Sequence, residues 1–274
     1  WEWHHDLFKY AKKIGITLFS SPFDKTAVDF LEELGNPVYK IASPELIDLE
    51  LIKKVASTNK PIIFSTGMAS ISEIGEAITT ARRNGVQDLV VLHCTSAYPA
   101  PIEEANLSTI EQISKRFSVL AGLSDHTKGI LVPSLASVMG ACLIEKHCTI
   151  SRSEGGVDSD FSIEPHELEE LVNETKKAKL ALGKPAFAPT NSEEKLIKGR
   201  RSLYIVKNLK KGDIITEDYI KSIRPGYGVL PKYINLIIGS KSARDLNFGE
   251  PFSFDMIENN KKIIEKINEK NLDL

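Results

Sequence analysis

Two histidines and a lysine are spaced in this chain as if for chemistry. His126 follows the apolar run Val119–Leu123 through Ser124-Asp125, and His147 follows Leu143–Ile144 through Glu145-Lys146. If the two runs are neighbouring strands, about 4.8 Å apart, their imidazoles can share one divalent cation. Two nitrogens leave positions open for water and substrate, as a catalytic site requires. Mixed nitrogen and oxygen ligation suits Mn, Fe, Co or Zn, with Mg weaker. Taken singly, each histidine reads as a hydrogen-bonded residue of a cavity wall; two on successive strands favour the metal. Glu145 shares a face with His147 by the period-two rule, while Lys146 points oppositely, to pack or pair outside.

A second set could hold phosphate. Lys40, Ser43, Ser21, Ser65 and Ser124 all lie at the ends of apolar runs, and none belongs to a basic cluster. A lysine within a strand is costly to bury without an anion, and hydroxyls around one ammonium make a phosphate cradle. Each serine alone reads equally as a helix cap. Glu45 follows Lys40 closely enough to act as an acid or base, or to pair with that lysine. His4 and His5 fall on a charged amino-terminal helix as surface residues, His166 opens a later helix, and His93 is open to either reading.

The elements that must position these groups are six short apolar runs, each ending in a polar cluster: Ile16–Phe19, Val38–Ala42, Ile62–Phe64, Leu89–Leu92, Val119–Leu123 and Leu143–Ile144. Amphipathic helical patterns over 24–34, 49–57, 72–84, 108–117, 130–139 and 165–182 separate or follow them. Strands alternating with helices imply right-handed βαβ units and a parallel sheet. An open doubly wound sheet gathers its ligand at one switch point, whereas polar chemistry at every strand end suits an α/β barrel. Six units do not close an eight-stranded barrel, so the expected fold is a TIM (β/α)8-type barrel lacking its first two βα units. This partial barrel covers residues 1–183. Residues 184–199, rich in Pro, Ala, Ser and Glu, read as a linker. A small unit follows over 200–262, with β-like runs at 202–206, 220–223 and 242–243, and then a tail over 263–274 that reads as a short amphipathic helix or a frayed end. At ~60 residues the small unit is expected to lean on a larger partner.

Bulk properties narrow the class. The 274 residues are 42% hydrophobic and 26% charged with a net charge of −2, which offers no field for nucleic acid or an anionic membrane. No apolar run approaches the ~20 residues of a membrane span, and no secretory signal opens the chain. Three cysteines without CxxC spacing disfavour a disulfide framework or zinc site; Cys94 and Cys148 read as buried, unreactive thiols, and the reducing cytoplasm is the expected compartment.

Read in order, the strings Phe19-Ser-Ser-Pro-Phe-Asp24, Tyr39-Lys-Ile-Ala-Ser-Pro-Glu45, Ser65-Thr-Gly-Met68, His93-Cys-Thr-Ser-Ala-Tyr-Pro99, Gly122-Leu-Ser-Asp-His-Thr127 and Glu145-Lys-His147 resemble the sialic acid (nonulosonic acid) synthase family. Arg200-Arg-Ser-Leu-Tyr204 and Arg224-Pro-Gly-Tyr-Gly228 resemble its carboxy-terminal SAF (antifreeze-like) domain. Within the family, Trp1-Glu-Trp-His4, Phe23–Phe30 and Glu154–Ser162 look most like pseudaminic acid synthases. The resemblance implies a transferase that condenses phosphoenolpyruvate with an open-chain amino sugar and water, releasing phosphate by C–O cleavage. It implies that Lys40 holds the phosphoenolpyruvate carboxylate and that Ser21, Ser43, Ser65 and Ser124 hold its phosphate. His126 and His147 would bind the metal, Mn or Mg with Co as a further choice, and Glu45 would position or deprotonate water or a sugar hydroxyl. Glu145 and Tyr98 would orient the sugar, and Arg224 would reach its acyl group from the SAF domain of a partner chain, in a domain-swapped homodimer.

Two departures sharpen this expectation. Ser96 stands where N-acetylneuraminate synthases carry an asparagine, which disfavours N-acetylmannosamine and favours a deoxy diacetamido sugar, with 2,4-diacetamido-2,4,6-trideoxy-altropyranose as the leading expectation. The family's first two strands, with a glutamate and a second phosphate-contacting lysine, have no counterpart here, in keeping with six units. The alternatives are an N-acetylneuraminate or legionaminate synthase and, from another class, a non-catalytic fragment serving as a binding or assembly module. An upstream reading frame of about 75 residues would favour the enzyme; a start codon at Trp1 would favour the fragment.

Overall fold

The structure is a computed structural model that describes residues 1–271, with side chains described through 268; the last three residues of the expected tail lie outside the described residues. The chain divides into two compact units, Trp1–Lys184 and the residues from Pro185 onward.

The first unit opens with α1 (Trp3–Ile14) and α2 (Lys25–Glu33), and then alternates strand and helix. Strands β1 (Tyr39–Ile41), β2 (Ile62–Ser65), β3 (Leu89–Cys94), β4 (Leu120–Asp125) and β5 (Ile144–Lys146) form one parallel sheet in chain order. Helices α3 (Leu49–Ala56), α4 (Ile71–Arg83), α5 (Ser108–Phe117) and α6 (Leu131–Val138) make the crossovers, and α7 (Pro165–Leu182) follows the last strand. Strands that add in sequence order without reversal make a curled half-barrel, not the doubly wound alternative with its switch point. Asp24 accepts from the backbone N–H groups of Thr26 and Ala27, and Ser70 with Glu73 forms a complete capping box on α4.

The first of the six runs, Ile16–Phe19, is not a strand. Only Ser20 bridges to Tyr39. The backbone N–H of Ser20 donates to Asn36 Oδ1 at 3.1 Å instead of to a ladder partner, and Ile16 and Phe19 remain exposed. Past β5, pairing continues through one further bridge between Cys148 and Ile163, where the Ile163 N–H donates to the His147 carbonyl at 2.9 Å.

Period two sorts the strand residues into two environments. Tyr39, Ile41, Ile62, Phe64, Val91, Ala121 and Leu123 face the helices and form the core with Val28, Leu51, Ile52, Ile78 and Ile110. The alternate residues, among them Lys40, Ser65, Cys94, Ser124 and Glu145, face the barrel interior and its mouth. Gly122 lets two strands approach: a Cβ there would lie 2.3 Å from the Leu143 carbonyl oxygen and 2.6 Å from a Leu92 methyl.

The second unit contains the short helices α8 (Asn191–Glu194) and α9 (Ile234–Ile237), an antiparallel pair β6 (Ser202–Ile205) and β7 (Ile220–Ile223), and α10 (Asn260–Asn271). Of the run at 242–243, only Ser242 pairs, in a single bridge to Ile257. Leu203, Ile205, Leu209, Ile215, Ile220, Ile237 and Phe252 supply a separate core. Gly228 has to be glycine for packing. A Cβ on it would meet the Leu203 carbonyl oxygen at 2.3 Å and the Phe252 backbone at 2.9 Å.

Candidate active site

The parallel register brings the chemistry-bearing residues of the first unit to one mouth. Cys94, Ser124 and Glu145 stand side by side on β3, β4 and β5. Two residues further along the chain, just past the strand ends, come Ser96, His126 and His147. Lys40 enters from β1 and is 7% exposed. Its ammonium donates to the Ile41 carbonyl at 3.3 Å and lies 3.6 Å from Glu145 Oε1. The same carboxylate oxygen accepts from Ser124 Oγ at 2.7 Å. The partner of Lys40 is therefore Glu145, and not the Glu45 ion pair that was one reading of the sequence. Burial pulls the Lys40 pKa below the ordinary lysine range, and Glu145 opposes that pull.

Ser43 links the β1 and β2 loops: its Oγ accepts the Gly67 backbone N–H at 3.0 Å. Gly67 has to be glycine for space, because a Cβ would fall 2.0 Å from Ser96 Oγ and 2.9 Å from Ser43 Oγ. Ser65 Oγ and Glu45 Oε2 are buried without a hydrogen-bond partner, a cost that invites a ligand. The third such atom among the described residues, Ser134 Oγ, lies in α6, away from this set. Ser21 is half-buried one residue past the Ser20–Tyr39 bridge, on the segment flanking β1, and makes no hydrogen bond to the other serines. Arg224 belongs to the second unit and is exposed.

The two histidines stand face to edge, with ring centroids 5.1 Å apart. His126 Nδ1 lies 3.0 Å from the Thr95 carbonyl oxygen, and His147 Nδ1 lies 3.6 Å from Asp158 Oδ2. Each Nδ1 faces an oxygen, at hydrogen-bond distance in His126 and at a longer approach in His147, and among the described residues no hydrogen-bond partner meets Nε2 of either ring; metal-binding imidazoles are commonly oriented in this way. Burial would lower the pKa of His126, but hydrogen bonds to Cys94 and Thr95 outweigh it and the net shift is upward. Burial and the neighbouring His126 lower that of His147. Among the described residues no cluster of three or more His, Cys, Asp or Glu is arranged around a metal position. The donor set fits a cation that takes two imidazoles from the protein and oxygens from water or substrate.

Tyr98 packs over His126 at 4.4 Å between centroids and meets His147 at 6.1 Å. Phe161 closes this aromatic box, 5.1 Å from His147 and 5.7 Å from Tyr98. Sequence reasoning quoted Asp158 and Phe161 within a motif without giving either a place. It also read Cys94 only as an inert thiol. Cys94 is buried, as expected, but its Sγ lies 3.6 Å from Ser43 Oγ, 3.7 Å from Ser96 Oγ and 3.8 Å from His126 Nδ1. Cys148, expected to be buried, is exposed; it lies past the end of β5 and pairs only through the single bridge to Ile163. His93 is resolved as structural: its Nε2 holds the Ala105 carbonyl at 2.8 Å.

A half-barrel with a lysine, unpartnered oxygens and paired imidazoles at the carboxyl ends of its strands defines an α/β protein of the barrel-mouth class. Comparison with known proteins narrows the class. A model of the NeuB family matches residues 1–186, and a model of the SAF domain matches residues 200–258. The chain belongs to the NeuB family. It is 43% identical to a pseudaminic acid synthase of Helicobacter pylori over 94% of this chain and 76% of that one. It is 41% identical to an N,N'-diacetyllegionaminic acid synthase of Campylobacter jejuni over 82% and 69%. A solved N-acetylneuraminic acid synthetase from Leptospira borgpetersenii superposes with a TM-score of 0.66 at 37% identity, covering 70% of this chain and 67% of that one.

Proposed function

We propose that the chain is a pseudaminic acid synthase, condensing phosphoenolpyruvate with open-chain 2,4-diacetamido-2,4,6-trideoxy-altropyranose and water to give pseudaminic acid and phosphate. One observation carries the chemistry. A buried ammonium and an unpartnered serine hydroxyl share a mouth with two imidazoles whose Nε2 atoms are free. The similarity to synthases of pseudaminic, legionaminic and sialic acids supports the reaction class.

In this reading Lys40 binds the carboxylate of phosphoenolpyruvate, and Ser43, Ser65, Ser124 and Ser21 receive its phosphate oxygens. The methylene carbon of phosphoenolpyruvate forms a C–C bond to the sugar aldehyde. Water adds its oxygen to the adjacent carbon, and the bond from that carbon to the phosphate oxygen breaks, so that phosphate leaves with the electron pair. No net oxidation or reduction occurs. Glu45, with one oxygen buried and unpartnered, takes a proton from the water or from a sugar hydroxyl. Glu145 is held by Ser124 beside Lys40 and, with Ser96 and Tyr98, orients the sugar. A divalent cation, Mn or Mg with Co as a third choice, held by His126 and His147, would supply Lewis-acid polarisation of the aldehyde. The partner subunit's Arg224 completes the sugar site in a domain-swapped homodimer. The expected compartment is the cytoplasm, and no described helix is long and apolar enough to cross a membrane.

Phosphate release tests this directly, with the altrose-derived diacetamido sugar, its legionaminate-type isomer and N-acetylmannosamine offered in turn. The diacetamido altrose sugar should give the highest kcat/KM. A preference for N-acetylmannosamine would overturn the substrate assignment, and no phosphate release with any of them would favour the binding-module alternative.

A further inference from the structure

The β4–β5 ladder ends one residue before the histidines. Its last registered pair is Asp125 with Lys146, so no ladder bond fixes His126 against His147. A side-chain clamp stands there instead. The Lys146 ammonium donates to Asp125 Oδ2 at 2.6 Å and also to the Thr127 carbonyl. Asp125 and Thr127 are the two chain neighbours of His126. Lys146 is itself the neighbour of His147. One ammonium from the β5 end therefore grips the β4 end on both sides of the opposite imidazole.

The clamp is closed and dry. The Lys146 and Asp125 side chains are 4% and 2% exposed. Asp125 Oδ1 accepts the Thr127 N–H at 3.1 Å, and Oδ2 accepts the Thr127 hydroxyl at 3.2 Å. The pair lies on the outer face of the sheet, opposite the Ser124–Glu145 contact, so it touches nothing that enters the mouth. A buried ion pair is weak as a source of stability and is better suited to fixing register.

We propose that the Lys146–Asp125 pair is a positioning device that holds the two imidazoles at the separation one cation needs. The proposal rests on the two-histidine metal reading. It makes Lys146 and Asp125 positioning residues, acting through His126 and His147 without contacting substrate.

The experiment is Mn(II) binding to the full chain without substrates, read from the electron paramagnetic resonance of the free ion, with thermal melts in parallel. Lys146→Met leaves a buried carboxylate alone and can fail to fold, so the informative variant is Asp125→Asn with Lys146→Gln, which removes both charges and keeps polar groups in place. It should fold and bind Mn(II) about 10- to 100-fold more weakly, the range for altered outer-shell partners of a metal site. Lys146→Arg, which keeps the charge, should recover part of that loss. Lys128→Ala, which breaks the exposed Lys128–Asp160 pair nearby, should leave binding unchanged. If His126→Ala weakens Mn(II) binding and the charge-removed variant binds like the parent, the positioning role is overturned while the metal reading stands. If His126→Ala itself binds like the parent, the metal reading is overturned, and this inference with it.

Discussion

The β4–β5 side of the mouth and the β1–β2 side arise from the same alternation of residues, yet they differ in how their polar atoms are satisfied. On the β4–β5 side each side chain is held in place by a partner: Ser124 donates to Glu145, His126 is held through Nδ1 by the Thr95 carbonyl, and Lys146 grips Asp125 and Thr127. On the β1–β2 side the Glu45 and Ser65 oxygens are buried and unpartnered, and Lys40 has only the Ile41 carbonyl and a 3.6 Å approach to Glu145. A satisfied network is rigid and placed before substrate arrives, whereas an unsatisfied one costs stability until an anion comes. In the proposed function the preorganised side serves the cation and the unsatisfied side the anion.

The largest effect should come from breaking the preorganised side. His126→Ala together with His147→Ala should abolish metal-dependent turnover, by more than about 1000-fold, since Lewis-acid stabilisation supplies several kcal/mol. Steady-state phosphate release with and without added Mn checks this, and activity unchanged by both the substitutions and the metal would remove the ligand assignment.

Next comes the lysine of the unsatisfied side. Losing a charge-assisted hydrogen bond of about 1.5–3 kcal/mol, Lys40→Met should lower kcat/KM for phosphoenolpyruvate by roughly 100-fold. The pH profile sharpens the point. Burial lowers the folded-state pKa of Lys40 below its ordinary 10.5, so its charge is lost as pH rises through that lowered value. KM for phosphoenolpyruvate should therefore climb at a pH below the usual lysine range. The same shift makes the unfolded chain bind the extra proton in that window, so the substrate-free protein should gain stability as pH rises there. Lys40→Met should flatten both trends.

Legibility in the sequence followed the same division. Period two and the strand-end positions sufficed to bring Lys40, Ser43, Ser65, Ser124, Glu145, His126 and His147 to one mouth, because register in a parallel sheet is a local consequence of alternation. Partnership was less legible. Glu145, not Glu45, meets Lys40 because the curling of the sheet carries β5 across the mouth from β1, a long-range fact that no spacing encodes. The run Ile16–Phe19 has strand composition, but a strand exists only where its backbone is paired, and the Asn36 side chain takes that place. Phe161 lies in a loop with no periodicity to mark it, so its place beside both imidazoles emerges only from the folded chain. Lys146 was correctly turned outward by alternation, yet its grip on both neighbours of His126 depends on where β4 ends relative to β5.

The smallest effect separates the two sides most cleanly. Ser65 and Ser124 are both buried serines at strand ends, and in the proposed function both receive the same phosphate. Ser124 Oγ already donates to Glu145, whereas Ser65 Oγ donates to nothing. Replacing Ser124 by alanine should cost the substrate-free protein about 1 kcal/mol, the net worth of one hydrogen bond with its acceptor left short of a donor. Replacing Ser65 by alanine removes an unsatisfied hydroxyl and should leave the melting temperature unchanged or raise it. Both substitutions should raise KM for phosphoenolpyruvate, by roughly tenfold or less. Thermal melts beside phosphoenolpyruvate titrations read the two quantities independently. If Ser65→Ala destabilised the free protein as much as Ser124→Ala, the hydroxyl would have a partner in solution, and the anion would lose its claim on that side of the mouth.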